Sequence, residues 1–215
     1  DEDIIFGNAG DDTIDGGAGA DTLQLSSGAH AITNNSNLLN IETIKTHSSG
    51  SIVDFSNQTE ALTIIGFAGN DTLKGGNGND TLTGSGGVDT FTISAGTDSI
   101  TDLTTSDILI VSSGATVTAS DVSNFIATSS TSNAGSATIT AKAGGATINM
   151  SNSSSGGYTI VASAGTDILI GGTGTDNGSS HCFVKVDTLY MRWFEFPDAQ
   201  PAYQEGVYTW DSAVE

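Results

Sequence analysis

The sequence predicts an all-β fold, a parallel β-roll or β-helix solenoid, and three observations lead to this prediction. A nine-residue pattern recurs in one phase, only 36% of the residues are hydrophobic, and short β-branched runs alternate with glycine, serine and asparagine clusters. Such a composition suits a solenoid, because each coil buries only a few apolar side chains against its neighbours.

The clearest repeat occupies residues 66–110, which divide into GFAGNDTLK, GGNGNDTLT, GSGGVDTFT, ISAGTDSIT and DLTTSDILI. Position eight of each copy is apolar, and position six is always aspartate. These aspartates are Asp71, Asp80, Asp89, Asp98 and Asp107. The copies follow the pattern G-G-x-G-x-D-x-U-x, where U is apolar, which is the sequence form of a parallel β-roll with calcium-binding turns.

The residue types of the repeat suit Ca²⁺, which takes six to eight oxygen ligands. Glycine lets the backbone adopt turn conformations closed to other residues, so that successive carbonyl groups can point inward. The aspartate adds charge at the end of the turn. Positions seven to nine then form a short strand with the position-eight side chain facing the interior. The sequence therefore predicts Ca²⁺ as the bound cofactor.

Two nonapeptides should make one coil, so aspartates two repeats apart should stack. The predicted pairs are Asp3 with Asp21, Asp71 with Asp89, Asp89 with Asp107, and Asp80 with Asp98. Thr105 replaces the turn glycine before Asp107, which puts the Asp89–Asp107 site in doubt.

The first repeat block covers residues 1–24 and contributes Asp3, Asp12 and Asp21 as candidate ligands. Asp12 has no partner two repeats later, so its site should be weak or absent. Residues 25–65 are short strand-like runs without the repeat, which we interpret as metal-free solenoid coils. The 50-residue step from Asp21 to Asp71 is not a multiple of nine, so these coils should differ in length from the roll.

After the 66–110 block, residues 111–161 form a Ser/Thr/Ala-rich segment that also predicts solenoid coils. The repeat returns in decaying form over residues 162–180, where Asp167 and Asp176 occupy position six. We expect this block to terminate the roll.

The composition changes abruptly over residues 181–215, which contain both tryptophans, both prolines and the only cysteine. Partial alternation of apolar residues predicts a small β hairpin. Three interpretations remain open: a cap or docking element, a C-terminal export signal, or a cloning or reading-frame artefact.

The net charge of −20, from 5 basic and 25 acidic residues, argues against nucleic acid and anionic membrane surfaces as partners. A single cysteine rules out an internal disulfide framework. No apolar run reaches the 18 residues of a membrane-spanning helix, so we expect no membrane insertion. The chain begins inside a repeat, so we expect it to be a fragment or a processed product.

The copies GGAGADTLQ and GGNGNDTLT resemble the hemolysin-type, or RTX, repeats of bacterial proteins exported by type I secretion. The intervening segments are similar to the spacers of large RTX adhesins and surface-layer proteins. The resemblance implies extracellular location, calcium-triggered folding after export, and an adhesive or structural role. It also implies that backbone carbonyl groups act as metal ligands, at Gly16, Ala18, Gly75 and Asn77.

The function we expect is that of a calcium-dependent module of a secreted cell-surface protein, namely an adhesin, a surface layer or a filament. Self-association or an extracellular partner would accompany it. The alternative is the export and folding module of a secreted protease, lipase or polysaccharide epimerase. We expect no enzymatic activity in this chain itself, because it contains neither a zinc motif nor a nucleophile elbow.

Overall fold

Short parallel strands stacked in successive coils make up nearly all of the regular structure. A computed structural model describes residues 1–7, 13–32 and 35–171, and the only helical element in those ranges is a 3-10 turn at Asn35–Asn37. The strands are β1 Ile4–Gly7, β2 Ile14–Asp15, β3 Thr22–Leu25, β4 Gly28–Ala31, β5 Leu38–Leu39, β6 Thr43–Lys45, β7 Ser51–Asp54, β8 Thr63–Ile65, β9 Thr72–Lys74, β10 Thr81–Thr83, β11 Thr90–Ile93, β12 Thr97–Ile100, β13 Ile108–Val111, β14 Thr116–Val122, β15 Asn124–Ile126, β16 Ser132–Asn133, β17 Ser136–Ala141, β18 Thr147–Asn149, β19 Tyr158–Val161 and β20 Ile168–Ile170.

These strands form four parallel sheets, and one of them runs the length of the described solenoid. The nine-stranded sheet has the order β1-β3-β6-β8-β10-β12-β14-β17-β19, and the six-stranded sheet opposite has the order β16-β13-β11-β9-β7-β4. Two smaller sheets, β2-β5 and β15-β18-β20, add short further sides near the two ends of this stack. Non-consecutive neighbours in every sheet confirm the predicted all-β parallel solenoid.

Coil length follows the repeat. Thr72 pairs with Thr90, and Thr90 pairs with Ile108, so the coils in this block contain 18 residues, or two nonapeptides. The first repeat block has the same coil length, since Ile4 pairs with Thr22. Coils that include segments without the repeat are longer: Thr22 pairs with Thr43, and Ala137 pairs with Tyr158, each 21 residues on. The longer coils lie where the sequence lacks the nine-residue pattern.

The core is a stack of position-eight side chains. Leu73, Phe91 and Leu109 face inward from one sheet, and Leu82 and Ile100 from the other, all of them buried. Their neighbours along each strand are only partly buried, because successive side chains of a strand point to opposite faces. Burying each of these side chains stabilises the fold by about 1.5–3 kcal/mol.

The longer coils fill their wider interior with aromatic side chains. Phe55 and Phe125 are completely buried there, and Phe125 lies in register with Ile148 of the next coil.

Within the described residues, no helix is long and apolar enough to cross a membrane. Asp12, Asp176 and the aromatic segment 181–215 lie outside the described residues.

Candidate metal centre

The position-six aspartates form two ladders along the edges of the solenoid. Asp3, Asp21 and Asp80 each directly precede a strand of the nine-stranded sheet, and Asp98 is the second residue of β12 in that sheet. Asp71, Asp89 and Asp107 directly precede strands of the six-stranded sheet. All of them except Asp3 are buried. Each ladder therefore places carboxylates of one charge at the same point of neighbouring coils.

Within a ladder, one carboxylate oxygen joins neighbouring coils. The backbone N–H of Asp71 donates to Oδ1 of Asp89 at 2.8 Å, and the N–H of Asp89 donates to Oδ1 of Asp107 at 2.9 Å. The same contact joins Asp80 to Asp98 at 2.9 Å and Asp3 to Asp21 at 2.7 Å. The structure thus brings together all four pairs expected from the repeat spacing.

The second carboxylate oxygen, Oδ2, has no hydrogen-bond partner in three of these aspartates. Oδ2 of Asp21, of Asp71 and of Asp80 is buried and makes no hydrogen bond. A buried carboxylate oxygen without a partner is costly, since burial removes the water that would solvate its charge. These three oxygens are therefore suited to a ligand that supplies positive charge.

Glycine at position one leaves room around this oxygen. A Cβ added to Gly66 would lie 2.8 Å from Oδ2 of Asp71 and 2.4 Å from the carbonyl oxygen of Gly84 in the next coil. A Cβ on Gly75 would lie 2.1 Å from Oδ2 of Asp80. A carboxylate oxygen and a carbonyl oxygen therefore converge on a space that any larger residue would fill.

This donor set fits Ca²⁺, which prefers carboxylate and carbonyl oxygens. Within the described ranges, no three His, Cys, Asp or Glu side chains lie close enough to share a metal ion. Backbone carbonyl groups must therefore supply the remaining ligands.

The other predicted ligands lie in the same turns. Gly16 adjoins the carboxylate of Asp21 in the way that Gly75 adjoins Asp80. The carbonyl of Ala18 accepts a hydrogen bond from the amino group of Asp1 at 2.7 Å, and the N–H of Asn77 donates to the carbonyl of Gln58.

Two position-six carboxylates, one in a ladder and one outside both ladders, already have hydrogen-bond partners within the protein. Oδ2 of Asp107 accepts hydrogen bonds from the backbone N–H and the hydroxyl of Thr104, at 2.7 and 2.9 Å. The carboxylate of Asp167 accepts from Ala146 N–H and Ser163 N–H, at 2.8 and 3.0 Å. Thr105 was the residue expected to weaken the Asp107 site, whereas the contacts that occupy Oδ2 of Asp107 come from the preceding residue, Thr104.

Burial raises the pKa of five ladder aspartates. Burial, with a smaller contribution from the charges of adjacent ladder aspartates, raises the pKa of Asp98 to about 7 and that of Asp89 to about 6. Burial also raises the pKa of Asp71, Asp80 and Asp107. The ion pairs within the described part of the chain, Lys74–Asp54 and Lys142–Asp121, do not involve the ladders, so no lysine neutralises them there.

Two acidic residues that do not occupy position six of a repeat also contact the turns, and the repeat pattern did not predict them. Oδ1 and Oδ2 of Asp102 accept the N–H groups of Gly84 and Ser85, at 2.9 and 2.6 Å, which fixes that turn. Oε2 of Glu42 accepts the N–H of Asp21 at 2.7 Å. Glu42 belongs to the triplet Glu-Thr-Ile, which copies the Asp-Thr-Leu of the repeat, and this similarity was the available signal.

Comparison with known proteins agrees with the geometry. The family model of the RTX calcium-binding nonapeptide repeat (4 copies) matches residues 1–29, 65–100 and 159–177. No curated protein and no solved structure matches the chain. The matched ranges contain both aspartate ladders except Asp107, and their repeats are calcium-binding motifs. The chain therefore contains RTX, or hemolysin-type, calcium-binding nonapeptide repeats, and these repeats are built into a parallel β-solenoid.

Proposed function

We propose that this chain is a calcium-dependent structural and adhesive module of a secreted bacterial cell-surface protein, without enzymatic activity of its own. The observation that carries the proposal is the set of buried, unpartnered carboxylate oxygens at Asp21, Asp71 and Asp80. They are stacked along the solenoid edges where no lysine of the described chain neutralises them. While their carboxylates are ionised, such ladders are favourable only when a cation is bound.

Calcium would act by linking neighbouring coils. When bound, the ion supplies positive charge between a carboxylate of one coil and a carbonyl of the next, such as Asp71 and Gly84. Without it, adjacent carboxylates repel one another and their desolvation is uncompensated. An ion that binds only the folded chain stabilises that chain by mass action. The module should therefore fold where calcium is abundant, outside the cell.

RTX repeat proteins are typically secreted, and the outer face of this solenoid supports a surface role. One row of the nine-stranded sheet consists of hydroxyl residues in register from coil to coil. The row contains Thr22, Thr43, Thr63, Thr81, Ser99, Thr118, Thr138 and Thr159. A regular uncharged polar face of this length suits contact with an extended surface.

The described histidines support the non-enzymatic part of the proposal. His30 faces the interior and bonds through Nε2 to the carbonyl of Ser26, whereas His47 lies exposed in a turn beside Ser49. Nδ1 of His47 bonds to the Ser49 hydroxyl at 2.9 Å, but this pair lies in an exposed turn, and neither ion pair of the described chain involves a histidine.

Calcium titration followed by far-UV circular dichroism tests the folding function. We expect a largely unfolded chain in chelator at neutral pH and a β-rich spectrum at millimolar calcium. Sodium chloride at matched ionic strength is the control, because screening alone weakens repulsion between charges. An unchanged β spectrum in chelator would refute the calcium dependence.

Electron microscopy with and without calcium tests the adhesive or lattice role. We expect calcium-dependent assemblies or calcium-dependent attachment to cell-surface material. Monodisperse particles that attach to nothing at millimolar calcium would instead favour the export and folding module of a secreted enzyme.

A further inference from the structure

We infer that Asp21 and Glu42, together with the backbone carbonyl of Asn40, form a calcium site that lies half outside the nonapeptide repeats. Only Asp21 belongs to a repeat, and residues 39–42 fall outside the segments that match the RTX family model. The inference rests on the proposed calcium-binding function and extends it to residues that no repeat marks.

Asp21 presents an oxygen that needs a ligand. Its side chain has 0% exposure, its Oδ1 accepts the N–H of Asp3, and its Oδ2 is buried without a hydrogen-bond partner. The unpartnered oxygen faces the space beside Gly16, as Oδ2 of Asp71 faces the space beside Gly66.

Glu42 occupies the next step of the same ladder. Its Oε2 accepts the N–H of Asp21 at 2.7 Å, which matches the 2.8 Å contact between Asp71 N–H and the carboxylate of Asp89. The strands agree with this placement, because Thr22 pairs with Thr43 and the acidic residue directly precedes each threonine. Glu42 therefore stands where a repeat would place aspartate.

A carbonyl oxygen completes the comparison. A Cβ added to Gly16 would lie 2.2 Å from the carbonyl oxygen of Asn40 and 2.8 Å from Oδ2 of Asp21. At the repeat pair, a Cβ on Gly66 would lie 2.4 Å from the carbonyl oxygen of Gly84 and 2.8 Å from Oδ2 of Asp71. The Asn40 carbonyl thus takes the position that a position-one glycine carbonyl takes elsewhere.

The chain reaches this arrangement through a shorter turn. Gly84 and Asp89 are separated by four residues, whereas Asn40 and Glu42 are separated only by Ile41. Asn40 adopts a positive φ of 52°, which asparagine tolerates better than most residues, and its amide donates to Asp15 Oδ1 at 2.8 Å. The longer glutamate side chain compensates for the missing turn residues.

The charges at this position favour a cation from solution. Neither Asp21 nor Glu42 takes part in an ion pair in the described part of the chain. Glu42 is exposed while Asp21 is buried, so an ion can enter from solvent and meet both carboxylates. Carboxylate and carbonyl oxygens are the ligands that Ca²⁺ prefers.

Competition with a chromophoric calcium chelator, at pH 7.5 on the full chain, counts the bound ions and tests the site. The central variant is Glu42→Gln, which keeps an oxygen acceptor and removes the charge. Glu60→Gln is the matched control, because Glu60 is an exposed glutamate whose carboxylate contacts only the local N–H of Thr59. Asp21→Asn and Asp80→Asn complete the set, with circular dichroism at saturating calcium to verify folding.

We expect Glu42→Gln to lose one bound calcium, or to lower the affinity of one site at least tenfold, while Glu60→Gln matches the unsubstituted chain. Combining Glu42→Gln with Asp21→Asn should cause no further loss, because both belong to one site. Combining it with Asp80→Asn should cost a second ion.

Equal calcium binding by Glu42→Gln and Glu60→Gln would overturn the site and leave the proposed function intact. A shared, non-additive loss between Glu42→Gln and Asp80→Asn would also overturn it. Absence of calcium binding by the unsubstituted chain would overturn both this site and the proposed function. Since the Glu42 side chain is exposed, the outcome does not depend on whether the Asp21 variant folds.

Discussion

In calcium-free solution, the stability of the solenoid should fall as pH rises, because buried ladder carboxylates must then carry charge. Asp98 has a pKa of about 7 and Asp89 of about 6, against an ordinary value of 3.8. Between the ordinary and the raised values, the folded chain binds more protons than the unfolded chain. The stability that these protons give is fully present below about pH 4 and is lost as pH rises through about 7.

The magnitude follows from the two pKa values. One pKa unit corresponds to about 1.4 kcal/mol, so ionising Asp98 costs the folded state at most about 4 kcal/mol. The corresponding value for Asp89 is at most about 3 kcal/mol. Solvent at the turn surface screens part of both costs. Even half of their sum is a large fraction of the roughly 5–15 kcal/mol that stabilises a typical domain.

Thermal unfolding followed by circular dichroism measures this effect. The buffer should be stripped of metal by ion exchange, because chelators release calcium at low pH. We expect the calcium-free chain to be largely unfolded near pH 8 and to gain β structure, with a rising melting temperature, as pH is lowered to 5. We expect Asp98→Asn to flatten this dependence by removing the charge. Asp121→Asn is the control, since Asp121 is exposed and pairs with Lys142.

Calcium should stabilise the solenoid more at high pH than at low pH, because protons and calcium compete for the same carboxylates. The rise in melting temperature caused by calcium should be largest at pH 8 and shrink toward pH 5. A calcium-free melting temperature that is constant or falls as pH drops from 8 to 5 would refute the reasoning. An identical pH dependence in Asp98→Asn and Asp121→Asn would assign the effect to net charge instead.

Three further substitutions test the core, the glycine turn and the hydrogen bond between Thr104 and Asp107. Phe91→Ala should lower the free energy of unfolding in saturating calcium by about 3–5 kcal/mol in a urea titration, because the ring is completely buried. Gly75→Ala should remove one bound calcium in a chelator competition, since its Cβ would displace the position-six carboxylate, whereas Gly86→Ala, with no atom nearer than 3.9 Å, should not. Thr104→Ala should cost about 1 kcal/mol by urea unfolding, both in saturating calcium and in calcium-free buffer at pH 5, because its hydroxyl donates to Asp107 where a metal would otherwise bind.

The regular part of the fold could be predicted from sequence because the repeat fixes its own register. A spacing of 18 residues between Asp71 and Asp89 determines both the coil length and the stacked pair. Position eight determines the core for the same reason, since a three-residue strand has a single inward side chain. Wherever the nine-residue period holds, counting residues is sufficient to predict the coil length, the stacked aspartate pairs and the core positions.

The longer coils could not be predicted in this way, because no fixed positions mark their turns. The register of Thr22 with Thr43 depends on how residues 25–42 fill the wider interior, which is a property of packing. The role of Thr104 depends on a hydrogen bond that its hydroxyl donates to the carboxylate of Asp107, three residues later. Glu42 was missed because a changed turn length moved it out of the nine-residue phase.

The direction of the ladder contacts has a mechanical consequence. Each N–H to carboxylate bond, such as Asp80 to Asp98, joins one coil to the next, and so do the strand pairings beside it. Tension applied along the stack would load these contacts one interface at a time, since a solenoid coil touches only its neighbours. The coils bridged by ions would yield last and those closed by Asp107 and Asp167 would yield earlier. The calcium concentration would thereby set the force at which the coils begin to separate.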